Sequence, residues 1–231
     1  MINPFDPATF AIVGILTLAC IFVPFVRRVS EWFVTIIHEV GHAVASVATG
    51  GGIHSIKLRM NGGGETTTLN SVGFFSWFRR VFVLFAGYNT PIFLGLLLIW
   101  GVRSGHTQVM FYILLGAALL TLIFIRNFFG LLIVILYFLF LGLGMIISQA
   151  FFLPAVLVFF GLLLTVRGIV DLILAGRLVF VDNHGGTDFD LLADSSIIRI
   201  PAKVWYVIYT VTITLQFVVA LAFVWITAVS P

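Results

Sequence analysis

Charge is what this sequence has least of. Only 9% of its 231 residues are Asp, Glu, Lys or Arg and 61% are apolar, whereas soluble domains carry roughly a quarter charged residues. No ordinary water-facing surface tolerates that shortage, and with a mean hydropathy of +1.20 the chain reads as a multi-pass membrane protein. Proline is also scarce, at seven residues against 25 Phe and five Trp, which excludes a disordered or fibrous chain because disorder needs low hydrophobicity. Cysteine occurs once, as Cys20. An internal disulfide is therefore excluded, and its place inside an apolar run marks it as a small core hydrophobe. Acidic residues number nine, leaving a formal charge of +3. The basic residues flank apolar runs, so they read as topology signals and not as a nucleic-acid surface. The opening Met-Ile-Asn-Pro-Phe-Asp lacks a positive n-region, so the first apolar run is expected to be a retained anchor.

A span needs about 20 apolar residues to cross a ~30 Å hydrocarbon layer. That template predicts an all-α polytopic membrane protein with about seven transmembrane helices, six to eight being the range. The spans fall at 8–26, 30–48, 81–101, 108–125, 128–147, 151–174 and 203–229, with only Arg126-Asn127 separating the fourth from the fifth. No internal repeat interrupts them, and residues 1–231 read as a single integral-membrane domain. Two stretches break the pattern. Residues 49–78 hold two glycine triplets around alternating apolar and polar residues, which predicts a short β-hairpin inserted after the second span. Residues 176–201 contain Gly185-Gly186-Thr187-Asp188-Phe189-Asp190-Leu191-Leu192, a loop feeding a capped helix start. With seven spans, the N-terminus and both irregular stretches share one face with Lys57, Arg59, Arg79, Arg80, Arg126, Arg177, Arg199 and Lys203, and the positive-inside bias makes that face cytoplasmic.

The residues richest in chemistry are His38-Glu39-Val40-Gly41-His42. Histidines at i and i+4 leave one helix face with Cβ atoms about 6 Å apart, so two imidazole nitrogens can converge on one ion at Zn–N distances of about 2.0–2.1 Å. Glu39 between them can take a proton from metal-activated water and pass it to a leaving amine, the H-E-x-x-H logic of zinc peptidases. From five His and three Glu in the chain, roughly one such motif is expected by chance per thousand chains. Three ionisable groups inside one span are moreover expensive in lipid, and such groups are functional by default. A catalytic zinc wants a third protein ligand. His54 in the hairpin, His184 in the late loop, Asp188 and Asp190 are available, while the seven-span topology puts His106 on the opposite face. For Asp188 the competing structural role is an N-cap of the helix that follows.

These residues resemble a specific family. His38-Glu39-Val40-Gly41-His42, the Gly-rich hairpin, and then Phe85-Ala86-Gly87-Tyr88-Asn89-Thr90-Pro91 look like the site-2-protease family of intramembrane zinc metallopeptidases. Arg126-Asn127-Phe128-Phe129-Gly130 and Thr187-Asp188-Phe189-Asp190-Leu191-Leu192-Ala193, with Pro201 and Trp205, resemble its compact bacterial branch without a PDZ domain. The resemblance implies one Zn²⁺ per chain on His38, His42 and a late Asp, with Glu39 as catalytic base. The branch's Ser/Thr-Asp pattern maps that ligand onto Asp188; aligning on Pro201 favours Asp190. Asn89 matches an asparagine that holds substrate backbone or an oxyanion. An interhelical hydrogen bond is its structural alternative.

The expected function is therefore an intramembrane zinc endopeptidase acting on a membrane protein or membrane-bound peptide in the lipid bilayer, with no nucleic-acid partner and any gating partner on a separate chain. Two alternatives use the same residues: an inactive membrane interaction or assembly protein with a vestigial metal site, and a small proton or metal transporter. Among weaker features, Pro91 is expected to kink its helix, Arg167 and Asp171 to form an i,i+4 ion pair, and Gly142, Gly144 and Gly161 to mark helix packing.

Overall fold

The computed structural model describes residues 4–69, 76–148, 152–182, 186–195 and 200–229. The chain opens with α1 (Pro7–Phe22), whose N-cap Asp6 accepts from the Thr9 amide at 3.3 Å. It breaks at Val23, and Pro24 begins α2 (Pro24–Ala48) at an angle of 96° to α1. Proline has no N–H to continue the ladder but suits the first turn of a new helix. The Ser30 hydroxyl braces the corner, donating to Cys20 O and Arg27 O at 2.8 Å each. Buried Cys20 is a core residue, as its place in an apolar run predicts.

After the hairpin come α3 (Ser76–Arg103), α4 (Thr107–Phe124), α5 (Phe128–Ser148), α6 (Leu153–Arg177), a π-helical segment (Leu178–Asp182), the short α7 (Asp188–Ser195) and α8 (Ala202–Val229). Among the described residues only four helical stretches are long and apolar enough to cross a membrane: Ser76–Arg103, Thr107–Phe124, Leu153–Val181 and Ala202–Ala222. Counting the bent α1–α2 pair as one crossing makes five, which corrects the expected six to eight. The sixteen residues of α1 reach only about 24 Å, and α2 is strongly amphipathic. Hydropathy alone counted each of these as a full span.

The bend has a second consequence. Phe5 lies under the Arg103 guanidinium, 5.6 Å from ring centroid to Cζ, so the N-terminal segment sits at the end of α3 opposite Arg79 and Arg80. Phe5 and the first turn of α3 therefore lie at opposite ends of that helix, whereas alternation of seven spans puts the N-terminus and the segment before α3 on one face.

The predicted hairpin forms from β1 (Gly52–Leu58) and β2 (Gly64–Leu69), antiparallel, with Ile56 opposite Thr66, Leu58 opposite Gly64 and a register shift between Ile53 and Ser55. Gly62 makes the turn at φ +93°. The free edge of β1 is closed by the α4–α5 link: the Arg126 amide donates to Ile56 O at 3.0 Å, and the Asn127 side chain brackets Leu58 at 3.1 and 2.7 Å. Arg126-Asn127, read from sequence as a membrane boundary, thus also substitutes for a third strand. The hairpin lies along α2, pinned by Arg28 Nη1 to Asn61 O at 2.6 Å, Thr35 Oγ1 to Gly62 O at 2.7 Å and Ser46 Oγ to Gly52 O at 3.0 Å.

Of the four spans α6 is the most buried and α8 the least. The main core gathers Ile36, Leu98, Leu114, Val134 and Leu157 from α2 to α6; a second joins Phe189 and Leu192 of α7 to Trp205 and Tyr209 of α8. Gly161 packs closely on α3, since an added Cβ would stand 2.8 Å from Gly95 O. Gly142 faces open space and is not a packing position.

Candidate metal centre

His38 and His42 leave the same face of α2 one turn apart, with Nε2 atoms 3.1 Å from each other. Asp188, the first residue of α7, brings Oδ2 to 3.3 Å from His38 Nε2 and 3.4 Å from His42 Nε2. Three donors in a triangle of this size match one face of a tetrahedral zinc site, whose ~2.0–2.2 Å bonds imply edges of roughly 3.3–3.5 Å. The chemistry of the atoms agrees. Asp188 Oδ2 is buried and makes no hydrogen bond. His42 Nδ1 lies 2.8 Å from Val83 O, and because a carbonyl only accepts, Nδ1 carries the proton and Nε2 keeps its lone pair for an ion. His38, His42 and Asp188 form a cluster capable of holding a metal ion.

Local sequence explains why Asp188 and not Asp190 faces the histidines. Thr187 caps α7: its amide and hydroxyl donate to Asp190 Oδ2 at 2.9 and 2.6 Å, and the Asp190 amide returns to Thr187 Oγ1 at 3.3 Å. This is a capping box with aspartate at N3. The cap occupies Asp190 and leaves Asp188 free to turn inward. Phe189, fully buried, anchors the turn by stacking on Tyr88 at 5.6 Å and meeting Tyr206 and Tyr209 edge-on. Burial pushes the Asp188 carboxyl up, but positive charge on the adjacent His42 and His38 imidazoles, in their protonated form, outweighs it and holds the carboxyl well below the usual carboxylate range.

The α3 helix supplies the back wall. Tyr88 packs edge-on against His38, with ring centroids 4.6 Å apart. At Gly87 a Cβ would stand 2.6 Å from His42 Cε1 and 2.7 Å from His38 Nε2, so only glycine leaves room for both imidazoles. Glu39 is buried and points to the hairpin, where Thr66 Oγ1 donates to its Oε2 at 2.7 Å. An added Cβ on Gly64 would collide with the same carboxylate, so glycine lets β2 pass directly over it.

A cavity of about 800 Å³ follows this face of α2 from Arg28 and Glu31, past His38, Glu39 and His42, to Thr49, between the hairpin and the α3, α6 and α7 walls. At its inner end the expected Arg167–Asp171 pair (2.8 Å) is part of a larger network, because Arg167 also pairs with Glu31 at 2.9 Å and Glu31 with Arg28 at 3.1 Å.

The other candidates lie elsewhere. His54 is exposed on β1, and His106 is exposed at the far end of α3, stacked on Trp100; His184 falls outside the described residues. Asn89 is half-buried and does not line the cavity, although its neighbours Tyr88 and Pro91 do. Sequence reasoning assigned no role to Thr66, Gly64, Gly87 or Glu31. The Thr66-Thr67-Thr68 run and a lone acid inside an apolar region were the available signals.

Comparison with known proteins agrees with this geometry. No curated protein and no solved structure matches the chain. A family profile described as Peptidase M50B-like matches residues 11–227, nearly the whole chain and all the residues of the cluster. The chain belongs to the Peptidase M50B-like family.

Proposed function

We propose that this protein is an intramembrane zinc metalloendopeptidase of the compact site-2-protease-like branch, hydrolysing a peptide bond within or beside a membrane span. His38, His42 and Asp188 would hold one zinc, with a coordination position left open. Zinc bound there supplies Lewis acidity, which brings water near to ionisation at neutral pH and polarises a peptide carbonyl. Glu39 takes the proton as water adds to the carbonyl carbon, and returns it to the amine as the C–N bond breaks. Thr66 orients the carboxylate for that transfer. Asn89, off the cavity lining, stays outside the reacting groups.

An intact helix hides its carbonyls in internal hydrogen bonds, so the substrate span unwinds before cleavage. Among the described residues β2 has no strand partner on the side away from β1, and an unwound segment can pair there by strand addition. In this reading residues 1–231 are one membrane domain. Arg79, Arg80 and Lys203 assign the first-turn end of α3 to the cytoplasm, which puts Phe5 on the opposite side, whereas the seven-span reading put the N-terminus in the cytoplasm.

The observation that carries the proposal is the convergence of His38, His42 and Asp188 within a cavity that also holds Glu39. Metal analysis of the purified full chain is expected to find about one zinc per chain, lost in His38→Ala and Asp188→Ala but kept in Glu39→Gln, which loses cleavage of a membrane-span substrate. Metal retained by a parent that cleaves nothing across a broad panel would overturn the hydrolase in favour of the assembly protein. Metal-dependent flux in vesicles without cleavage would overturn it in favour of the transporter.

A further inference from the structure

The arginines of the cavity divide into two sets. Toward the inner end and along the hairpin each has a carboxylate: Arg28 pairs with Glu31 at 3.1 Å, Arg59 with Glu65 at 2.8 Å, and Arg167 with Glu31 and Asp171 at 2.9 and 2.8 Å. At the other end Arg79 and Arg80 line the same cavity without an ion pair among the described residues. Among the described side chains, none of the acids Asp6, Glu31, Glu39, Glu65, Asp171, Asp188, Asp190 or Asp194 forms an ion pair with either of them. They stand in the first turn of α3, where the helix dipole adds further positive potential. Among the described residues, this end of the cavity is a cationic site without a counter-charge.

Its distance from the metal cluster follows from α2. An added Cβ on Gly50 would stand 4.0 Å from the Arg79 guanidinium; α2 runs six residues beyond His42 to Ala48, about 9 Å at 1.5 Å per residue, and Gly50 follows two residues later, which puts it roughly 10–12 Å from His42. An extended peptide covers that distance in about three or four residues at ~3.3 Å each.

We propose that Arg79 and Arg80 form a specificity site for acidic side chains, recognising an Asp or Glu about three or four residues to one side of the bond that is cut. The inference rests on the peptidase reading for what happens at the metal cluster. Carboxylates suit paired guanidinium groups, which offer forked N–H donors, and the cavity delivers the substrate segment to them. Anionic lipid headgroups are the competing ligand for basic residues at a membrane surface.

The test uses the full chain in nanodiscs and reads binding by fluorescence anisotropy, so it does not depend on turnover. The probes are two labelled apolar peptides identical except for an Asp-Glu or a Lys-Lys pair at one end. Parent and Glu39→Gln proteins are expected to bind the acidic peptide at least roughly five-fold more tightly, with the preference declining as salt is added. Arg79→Ala/Arg80→Ala should abolish the preference, and Arg79→Glu/Arg80→Glu should reverse it, with zinc content near that of the parent reporting an intact fold. Equal affinity of the parent for both peptides overturns the proposal. So does a preference that survives in the double alanine variant, or one seen only in discs containing anionic lipid, which would make this a headgroup site. A charge preference in a parent that cleaves no peptide would retire the hydrolase reading and leave this site standing.

Discussion

Thr66 Oγ1 on β2 donates to Glu39 Oε2 on α2 at 2.7 Å, joining the hairpin to the acid that lies between the two histidines. Hydrogen bonds to charged groups contribute about 1.5–3 kcal/mol. Thr66→Val is accordingly expected to lower kcat by roughly ten-fold or more while zinc content stays at the parent level, and Thr66→Ser to restore most of the rate. An unchanged kcat in Thr66→Val would show that the hairpin does not position Glu39.

Gly87 separates the α3 backbone from both imidazoles. In Gly87→Ala the new methyl occupies the space of His42 Cε1 and His38 Nε2, so zinc content should fall well below one per chain. Gly142→Ala, at a helical position with open space, is the control, and it should leave zinc content and thermal stability unchanged.

Asp188 and Asp190 are expected to separate cleanly. Asp188→Asn should lose metal, because it removes the charge at the apex of the donor triangle. Asp190→Asn should keep it and instead weaken the α7 cap by about 1 kcal/mol, seen as faster amide exchange in α7. Since the Asp188 carboxyl is held below the usual range, it is ionised throughout the neutral and mildly acidic range. Metal loss on acidification should therefore track proton competition at the imidazoles.

The buried Glu31–Arg167 pair ties α2 to α6 beside the cavity. Each partner keeps another counter-charge, Arg167 with Asp171 and Glu31 with Arg28, so Glu31→Gln or Arg167→Met should each destabilise the protein by less than the ~3–5 kcal/mol of a fully orphaned buried charge. The double variant Glu31→Gln/Arg167→Met should cost less than the sum of the two single changes. A thermal-unfolding cycle in detergent that found the two effects additive would argue against the coupling.

The legible parts of the fold were those written in local pattern. The glycine-flanked alternation at 49–78 became β1 and β2, and the Thr187-Asp188-Phe189-Asp190 start became α7. The span count went wrong where two apolar helices meet at a corner, because hydropathy reports burial in an apolar medium without reporting direction. Pro24 after Val23 was the only local sign of the 96° turn. Asp188 and Asp190 were equally eligible as a late ligand until the capping box occupied one of them.

Composition and a five-residue motif were enough by themselves to determine a membrane protein with two histidines on one helix face and a carboxylate between them, because charge shortage and i,i+4 spacing are local properties of a chain. The tertiary structure alone decided that Asp188 meets those histidines, that Thr66 holds Glu39, that Glu31 answers Arg167 and that Arg79 and Arg80 find no carboxylate among the described residues. The pairs that meet run from Thr66 and Glu39, 27 positions apart, to His38 and Asp188, 150 apart, and in a chain with nine acids only packing determines which basic groups they reach.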